Sequence, residues 1–421
     1  MRGTYGGRPL LALLMDTTST APRTAWDLLT DRTVGTYVAA RLTASIGIWI
    51  TNVVAAIIVF DRTQSALLVG IVSVAGFSPQ VVLAPFMGAL ADRGNRRVQA
   101  VAGRIVIGSS LAVVAVIEAL GTSSPWPVIV ASLGVGVGFA VSAPALHALV
   151  PSMAAPADLP TVVALTTSPF TFARAVGPAL GALLLLVGGP GSAFAVAAAT
   201  QVVLATVVAR LRLRPTERVT GGDRSTRAGL RHVQRDRVLL LMLLGVVGVG
   251  IGVDPVLTLT PSMAEGYGGG ASLVAAMASA FGVGAAAFVL VLPALSRRVE
   301  QPALAVAGMG TLAASLVGFA ASPTVGAALV ALALAGAGMM AATSGLTTGI
   351  QQRVPEELRG RVMALWSVAF IGSRPLAATA NGAIADAASP QWALLAVAVL
   401  LALVALVIRP ARLQARESSL P

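Results

Sequence analysis

The sequence has no cysteine anywhere in its 421 residues. Disulfides and thiolate metal sites are thereby excluded. It has no lysine either, so all 29 basic residues are arginines. There are two histidines, His147 and His232, and they form no Cys/His cluster. No nucleophile–base pair, metal cluster or phosphate loop is present, which argues against an enzyme and against any cofactor or metal. Aromatics make up only 5% of the chain and charged residues 11%. A soluble domain carries about 25% charged residues. Water is therefore not the main solvent of this chain.

What fills the sequence instead is apolar. Hydrophobic residues make up 56% of it, and the mean hydropathy is +0.85. A bilayer crossing takes about 20 mostly apolar residues. Twelve such runs are predicted, at 34–60, 66–90, 99–119, 125–148, 160–187, 190–210, 237–262, 271–294, 302–321, 324–348, 361–386 and 390–409. All must be helices, because a lipid-embedded span has to satisfy its backbone polar groups internally. The expected fold is an all-α integral membrane protein, with twelve transmembrane helices in two pseudo-symmetric six-helix bundles.

Arginine placement orients these spans. With the N-terminus in the cytoplasm, 24 arginines fall on the inner side. They include four in the N-terminal tail, three after span two and nine between Arg210 and Arg237. Arg62 alone lies in an outer loop, and Arg41, Arg104, Arg174 and Arg374 fall within spans. By the positive-inside rule both termini are cytoplasmic and the protein is a multi-pass plasma-membrane protein. The domains are a tail at 1–33, a bundle at 34–210, a basic linker at 211–236, a second bundle at 237–409 and a tail at 410–421. The start, "MRGTYGGRPLLALLM", lacks a small-residue cleavage site, so no signal peptide is expected; Met1 and Met15 are both candidate starts. The linker reads as a surface for anionic lipids rather than nucleic acid. Leu230 and Val233 among its arginines predict a short amphipathic helix on the membrane.

The halves repeat at an offset of 200 residues. "FTFAR" ends at Arg174 and "FIGSR" at Arg374; Gly136 and Gly138 match Gly336 and Gly338; Leu146 matches Leu346. Six spans repeated as six spans is the plan of a two-bundle transporter, with its site near the midplane between the bundles.

"GALADRGNRR" then resembles the loop signature of the major facilitator superfamily, with Gly88, Asp92, Arg93, Gly94, Arg96 and Arg97 matching between spans two and three. The second half keeps only Arg297 and Arg298 of it. "GPALGA" partly matches the antiporter motif of span five. Together with "VPEELRGRVMALW" it resembles the enterobactin-exporter-like branch of drug and siderophore efflux carriers. The resemblance implies that Asp92 meets the inner end of span eleven beside Arg361, as a cytoplasmic latch between the bundles. A carboxylate at a helix N-terminus is favoured by the dipole.

Ionisable residues inside spans are candidate functional groups, since burying one in lipid costs roughly 3 kcal/mol or more. Arg174 and Arg374 lie at matching depths and stay charged, so neither carries the proton. Each can hold an anionic group, pair with a buried carboxylate or tie helices through carbonyls. Gly177, Pro178 and Gly181 follow Arg174 and suit close packing, so a structural role is expected there. Trp366 and Asn381 share a face with Arg374, which is expected to look onto the substrate path. Arg41, Ser45, Trp49 and Asn52 share one face of span one and are expected to line the cavity or to bond neighbouring helices. Asp254, before Pro255, is expected in the transport cavity, either as a proton site or as an arginine's partner. Phe77, Phe170, Trp366 and Phe370 are candidate cavity walls or core. Glu118 and Asp386, at outer span ends, are expected to be solvated. His147 is expected to be a satisfied polar residue.

The function expected is secondary active export of a small amphiphilic molecule (a drug, antibiotic or siderophore-like metabolite) by a monomer, through alternating access and proton antiport. An uncoupled facilitator or importer of a nutrient, and a non-transporting scaffold or sensor, are the alternatives.

Overall fold

The structure is a computed structural model that describes residues 23–211, 213 and 226–408, without the side chains of 85, 92 and 226–229. The expectations for residues 1–22, for most of the linker and for the tail from 409 onward lie outside these residues.

Every described element is helical. In chain order they are α1 (Ala25–Thr30), α2 (Val34–Thr63), α3 (Ala66–Arg93), α4 (Arg96–Ala119), α5 (Trp126–Leu149), α6 (Leu159–Arg210), α7 (Thr226–Arg235) and α8 (Arg237–Val253). There follow α9 (Pro255–Thr258), α10 (Thr260–Gly266), α11 (Ala271–Leu295), α12 (Gln301–Ala320), α13 (Val325–Arg353), α14 (Glu356–Ala387) and α15 (Pro390–Val407). Two short 3-10 turns, Val150–Ser152 and Pro156–Asp158, join α5 to α6.

Eleven segments among the described residues are long and apolar enough to cross a membrane. One of them contains α6, whose 52 residues would run about 80 Å if straight, far beyond a bilayer core of about 30 Å. Gly189 breaks it, with φ +70° and ψ −178°. Glycine tolerates that positive φ, and Pro190 disfavours a helical residue before it. The element therefore crosses twice, which gives twelve crossings.

The run expected at 237–262 is interrupted. Pro255 has no N–H to donate, so α8 stops at Val253 and two short helices continue it. The joints between helices carry the expected chemistry. Ser65, Asn95, Asp236, Thr324 and Ser389 each cap the helix that follows through a side-chain oxygen. The helix expected around Leu230 and Val233 is α7, with Val233 buried and Leu230 exposed.

The 200-residue repeat is structural. A Cβ at Gly138 would stand 2.6 Å from the Gly103 carbonyl oxygen on α4, and one at Gly338 2.8 Å from the Gly308 oxygen on α12. Gly136 fits against the α3 backbone and Gly336 against that of α11. The bundles meet through α3 on α14 and α6 on α11.

The α3–α14 contact is not uniform. Near the arginine-poor face Gly70 abuts the Ala378 carbonyl, and a Cβ at Gly382 would lie 2.5 Å from the Leu67 Cα. Midway, a Cβ at Gly372 would lie 3.5 Å from Val81. At the arginine-rich end Gly88 and Gly360 face nothing within 4 Å. Asp386 fastens the tight end. It is exposed, yet it accepts from the Ser65 hydroxyl (2.5 Å) and the Ala66 and Leu67 amides (2.7 and 3.2 Å) at the start of α3.

Glu118 corrects an expectation. Its side chain is buried and takes two bonds from Arg62, at 2.6 and 3.0 Å. Arg62 belongs to the last turn of α2 and also donates to the Ser124 carbonyl. A bidentate, fully bonded pair can stay buried where a lone carboxylate cannot.

Candidate functional site

The midplane between the bundles holds a cavity of about 250 Å³. From α2 come Trp49 and Asn52, from α3 Phe77 and Gln80, from α6 Phe170 and Arg174, and from α14 Trp366, Phe370 and Arg374. Each bundle contributes one aromatic pair. Trp49 and Phe170 have centroids 5.6 Å apart, and Trp366 and Phe370 stack at 5.2 Å and 12°. Both indole Nε1 atoms are buried and have no hydrogen-bond partner.

The two arginines reach across the bundle interface in opposite senses. Arg374 lies 4.1 Å over the Phe77 ring, and its Nε and Nη2 are buried without a partner. Arg174 sits 4.7 Å from the Trp49 ring, 5.5 Å from Phe281 and 6.0 Å from Phe170. Its Nη1 points at the Met339 sulfur at 2.9 Å, and its Nε is orphaned. Ring faces attract a cation but do not neutralise it. Neither arginine is held by a backbone carbonyl or a carboxylate bond in the hydrogen bonds of the described residues.

Gly177 and Gly181 present their faces to Trp49, Ile50 and Val54 of α2, and Pro178 is buried beside them. That packing sets Trp49 beside Arg174. Arg174 itself also looks into the cavity, as Arg374 does.

The expected polar face of α2 divides. Trp49 and Asn52 line the central cavity, whereas Arg41 and Ser45 line a neighbouring chamber of about 190 Å³ together with Arg104 and His147. A third space, of about 410 Å³, lies between α6, α11, α13 and α14 and is edged by Thr343, Ser344, Thr347 and Thr348. It shares Phe170, Arg174, Trp366 and Phe370 with the central cavity.

Asp254 is fully buried at the α8–α9 break. Its Oδ2 accepts from Thr258 Oγ1 (3.0 Å) and from Asn381 Nδ2 on α14 (2.9 Å); Oδ1 has no partner. Contrary to the expectation that it lies in the cavity, it does not line the central space, although Leu257, one turn on, does, because its side chain turns into the helix break to meet Thr258 and Asn381. Arg374 is close enough to act on it electrostatically without a direct ion pair. A buried carboxyl beside a two-bonded oxygen and an open one can exist in either protonation state.

In the loop motif Arg96 donates to the Ala91 and Ala148 carbonyls, and Arg97 to those of Ala209 and Leu211. Both thus close helix C-termini, where cations are favoured. Arg93 is exposed, and Gly94 caps α3. Arg361 lies in the first turns of α14. The proposed latch also needs the Asp92 side chain, which lies outside the described residues.

Three contributors were missed by sequence reasoning. Ser73, Gly76 and Gln80 share one face of α3 with Phe77, already a candidate wall, at spacings of three, one and three, a stripe the sequence displays. Arg104 was visible as a charge within a span. The hydroxyl edge of α13 carried no signal beyond its composition.

A sequence model of the family described as transmembrane secretion effector matches residues 23–420. Macrolide efflux protein A of Streptococcus pyogenes is 24% identical over 215 residues, which are 50% of this chain and 53% of that protein. The chain therefore spans about half the length of the curated relatives it matches. Among solved structures, a variant of the nucleoside transporter NupG superposes with a TM-score of 0.72 at 12% identity, covering 90% of this chain and 99% of that one. A D-xylose–proton symporter gives 0.72 at 14%, covering 90% and 97%. A bacterial homologue of the human lysosomal transporter Spinster, inward-facing and occupied, gives 0.72 at 14%, covering 89% and 95%. At these identities the likeness is one of fold.

Proposed function

The chain belongs to the transmembrane secretion effector family of the major facilitator superfamily, whose members are transporters rather than enzymes, and from that premise we propose that it exports a small amphiphilic molecule by alternating access, coupled to proton entry. The observation that carries this reading is the central cavity. It is enclosed between two bundles, walled by two aromatic pairs, and supplied with orphaned donors on Trp49, Trp366 and Arg374. Such a wall suits a molecule with a flat apolar body and a few acceptors.

The arginine-rich face is the cytoplasmic one, with both termini on that side. The hydroxyl-edged space then forms the entry from the cytoplasm, and Asp386 closes the opposite side. The basic linker and α7 rest on anionic lipid, and the carrier works as a monomer. The 24% relative, a macrolide efflux protein, supports efflux and a drug as the substrate class.

Asp254 is the proton site in this reading. Its pairing with Asn381 joins the α8–α9 break to the helix that carries Arg374, so a change in its charge is felt at the cavity. One observation favours an uncoupled facilitator instead: Asp254 does not line the cavity.

The test is flux in proteoliposomes, with and without an imposed pH gradient, across a panel of macrolides, catecholate siderophores and amphiphilic dyes. Gradient-driven movement of a panel compound, lost in Asp254→Asn, is the expected result. Flux indifferent to the gradient would leave the facilitator. No flux and no ligand-dependent stabilisation would leave a scaffold or sensor.

A further inference from the structure

We propose that the chamber walled by Arg41, Arg104 and His147 is a binding subsite for the oxyanion head group of the transported molecule, which is therefore an organic anion. The chamber is inside the N-terminal bundle and holds about 190 Å³. Its wall includes two arginines, a histidine, Ser45 and Gln80, and no carboxylate.

Arg104 is held in place without being neutralised. Arg104 is 4% exposed. Its Nη1 donates to Gln201 Oε1 at 3.0 Å, its guanidinium lies 4.9 Å over the Phe139 ring, and its Nε has no partner. Gln201 is itself fixed by a 2.9 Å bond to the Ala44 carbonyl. Arg41 makes no ion pair among the described residues, and it is near enough to Arg104 for the two charges to repel. The same bundle shows how this chain satisfies an arginine that is only structural: Arg62 has both Glu118 oxygens and a carbonyl. Two cations facing one small space, one fixed by neutral partners and the other without an ion pair among the described residues, form a site complementary to an anion.

The internal repeat separates function from packing. Gly103 and Gly308 pack equivalently, each against the glycine near the middle of its partner helix, Gly138 or Gly338. The residue after Gly103 is Arg104; the residue after Gly308 is Met309, fully buried in the core. His147 is likewise replaced at the 200-residue offset by Thr347. The fold is thus built with methionine at this place, and the charge belongs to the N-terminal bundle alone.

Position completes the argument. Arg41 and Arg104 lie seven and eight residues into helices that start at the arginine-rich face, a depth of roughly 10–12 Å. Ile48, Gln80, Phe139 and Phe170 line both this chamber and the central cavity. One molecule can therefore place its head on the arginines and its apolar body between the aromatic pairs.

What the subsite binds is an equilibrium property; that the bound molecule is exported rests on the functional reading above. The full chain is placed in nanodiscs of phosphatidylcholine, and binding of 2-naphthoate and of the neutral 2-naphthylmethanol is measured by equilibrium dialysis. Naphthoate is expected to bind saturably. Arg41→Gln and Arg104→Gln should each weaken it at least tenfold and leave the alcohol within twofold, while Arg104→Lys keeps most of the affinity. Should Arg104→Gln not fold, Arg41→Gln decides, because it removes no hydrogen bond seen within the chain. No saturable naphthoate binding, unchanged affinity in the variants, or equal loss for both probes overturns the subsite. Displacement of naphthoate by phosphatidylglycerol added to the nanodisc, with the same arginine dependence, would assign the head group to a lipid and overturn the solute assignment. Naphthoate binding as stated with no flux in the gradient experiment would remove export and leave the subsite standing.

Discussion

Arg374 and Arg174 occupy equivalent places in the repeat but keep different company. Arg374 touches one ring and keeps two buried nitrogens without a partner, whereas Arg174 is wedged among three rings and a thioether. Arg374→Ala should therefore reduce flux about tenfold or more with little change in melting temperature. Arg174→Ala should lower the melting temperature by several degrees, since each desolvated cation–π contact contributes about 0.5–2 kcal/mol. Melting and flux measured side by side check both, and an early-melting Arg374→Ala would reverse the assignment. At the arginine-rich face, Asp236 offers a test by pH. Burial works against its charge, yet the bond from Arg353 at 2.7 Å and the Val238 and Leu239 amides hold its carboxyl below the usual carboxylate range. A carboxyl lowered on folding stabilises above its unfolded value, about 4, and that stability is lost as pH falls through the folded value. Asp236→Ala should cost about 1 kcal/mol or more at pH 7, and the gap to the parent should shrink when melting is measured near pH 3. Which single residues matter was legible where chemistry is rare: an arginine or aspartate amid alanine and valine stands out. Their partners were not, because Glu118 meets Arg62 only after α2 and α4 come together.

Helices α4 with α5, and α12 with α13, approach through glycines that leave no space for a side chain. Gly338→Leu should overpack that contact and cost about 1–3 kcal/mol, read as a lower melting temperature and yield; an unchanged protein would show the contact to be loose. The spans themselves were legible from hydropathy alone, because lipid imposes one solution on an apolar run of this length. Their ends were less so. Helix α13 runs to Arg353 and α14 starts at Glu356, well past the apolar stretches. Polar residues extend a helix beyond the bilayer once neighbouring helices and caps hold it. The break after Asp254 was signalled by Pro255, and the division of α6 by Gly189-Pro190.

The whole molecule is two copies of one bundle, joined at α3–α14 and α6–α11, with the α3–α14 seam tight at one face and loose at the other. The pairing of halves was readable from the 200-residue repeat. The division of the polar stripe on α2 between two chambers was not, since it depends on where Phe139, Gln80 and Phe170 come to rest. Alternating access, as proposed, needs a seam whose ends part in turn, and Asp386 on the first turn of α3 is what fastens the arginine-poor end. The most direct measurement is of distances between spin labels in lipid, one pair across the arginine-poor face at positions 64 and 389 and one across the arginine-rich face at 95 and 355, in the parent and in Asp386→Ala. The account predicts that losing Asp386 lengthens the first distance and shortens the second in the same population of molecules. Lengthening of the first with no change in the second, or no change in either, would contradict a two-bundle rocker.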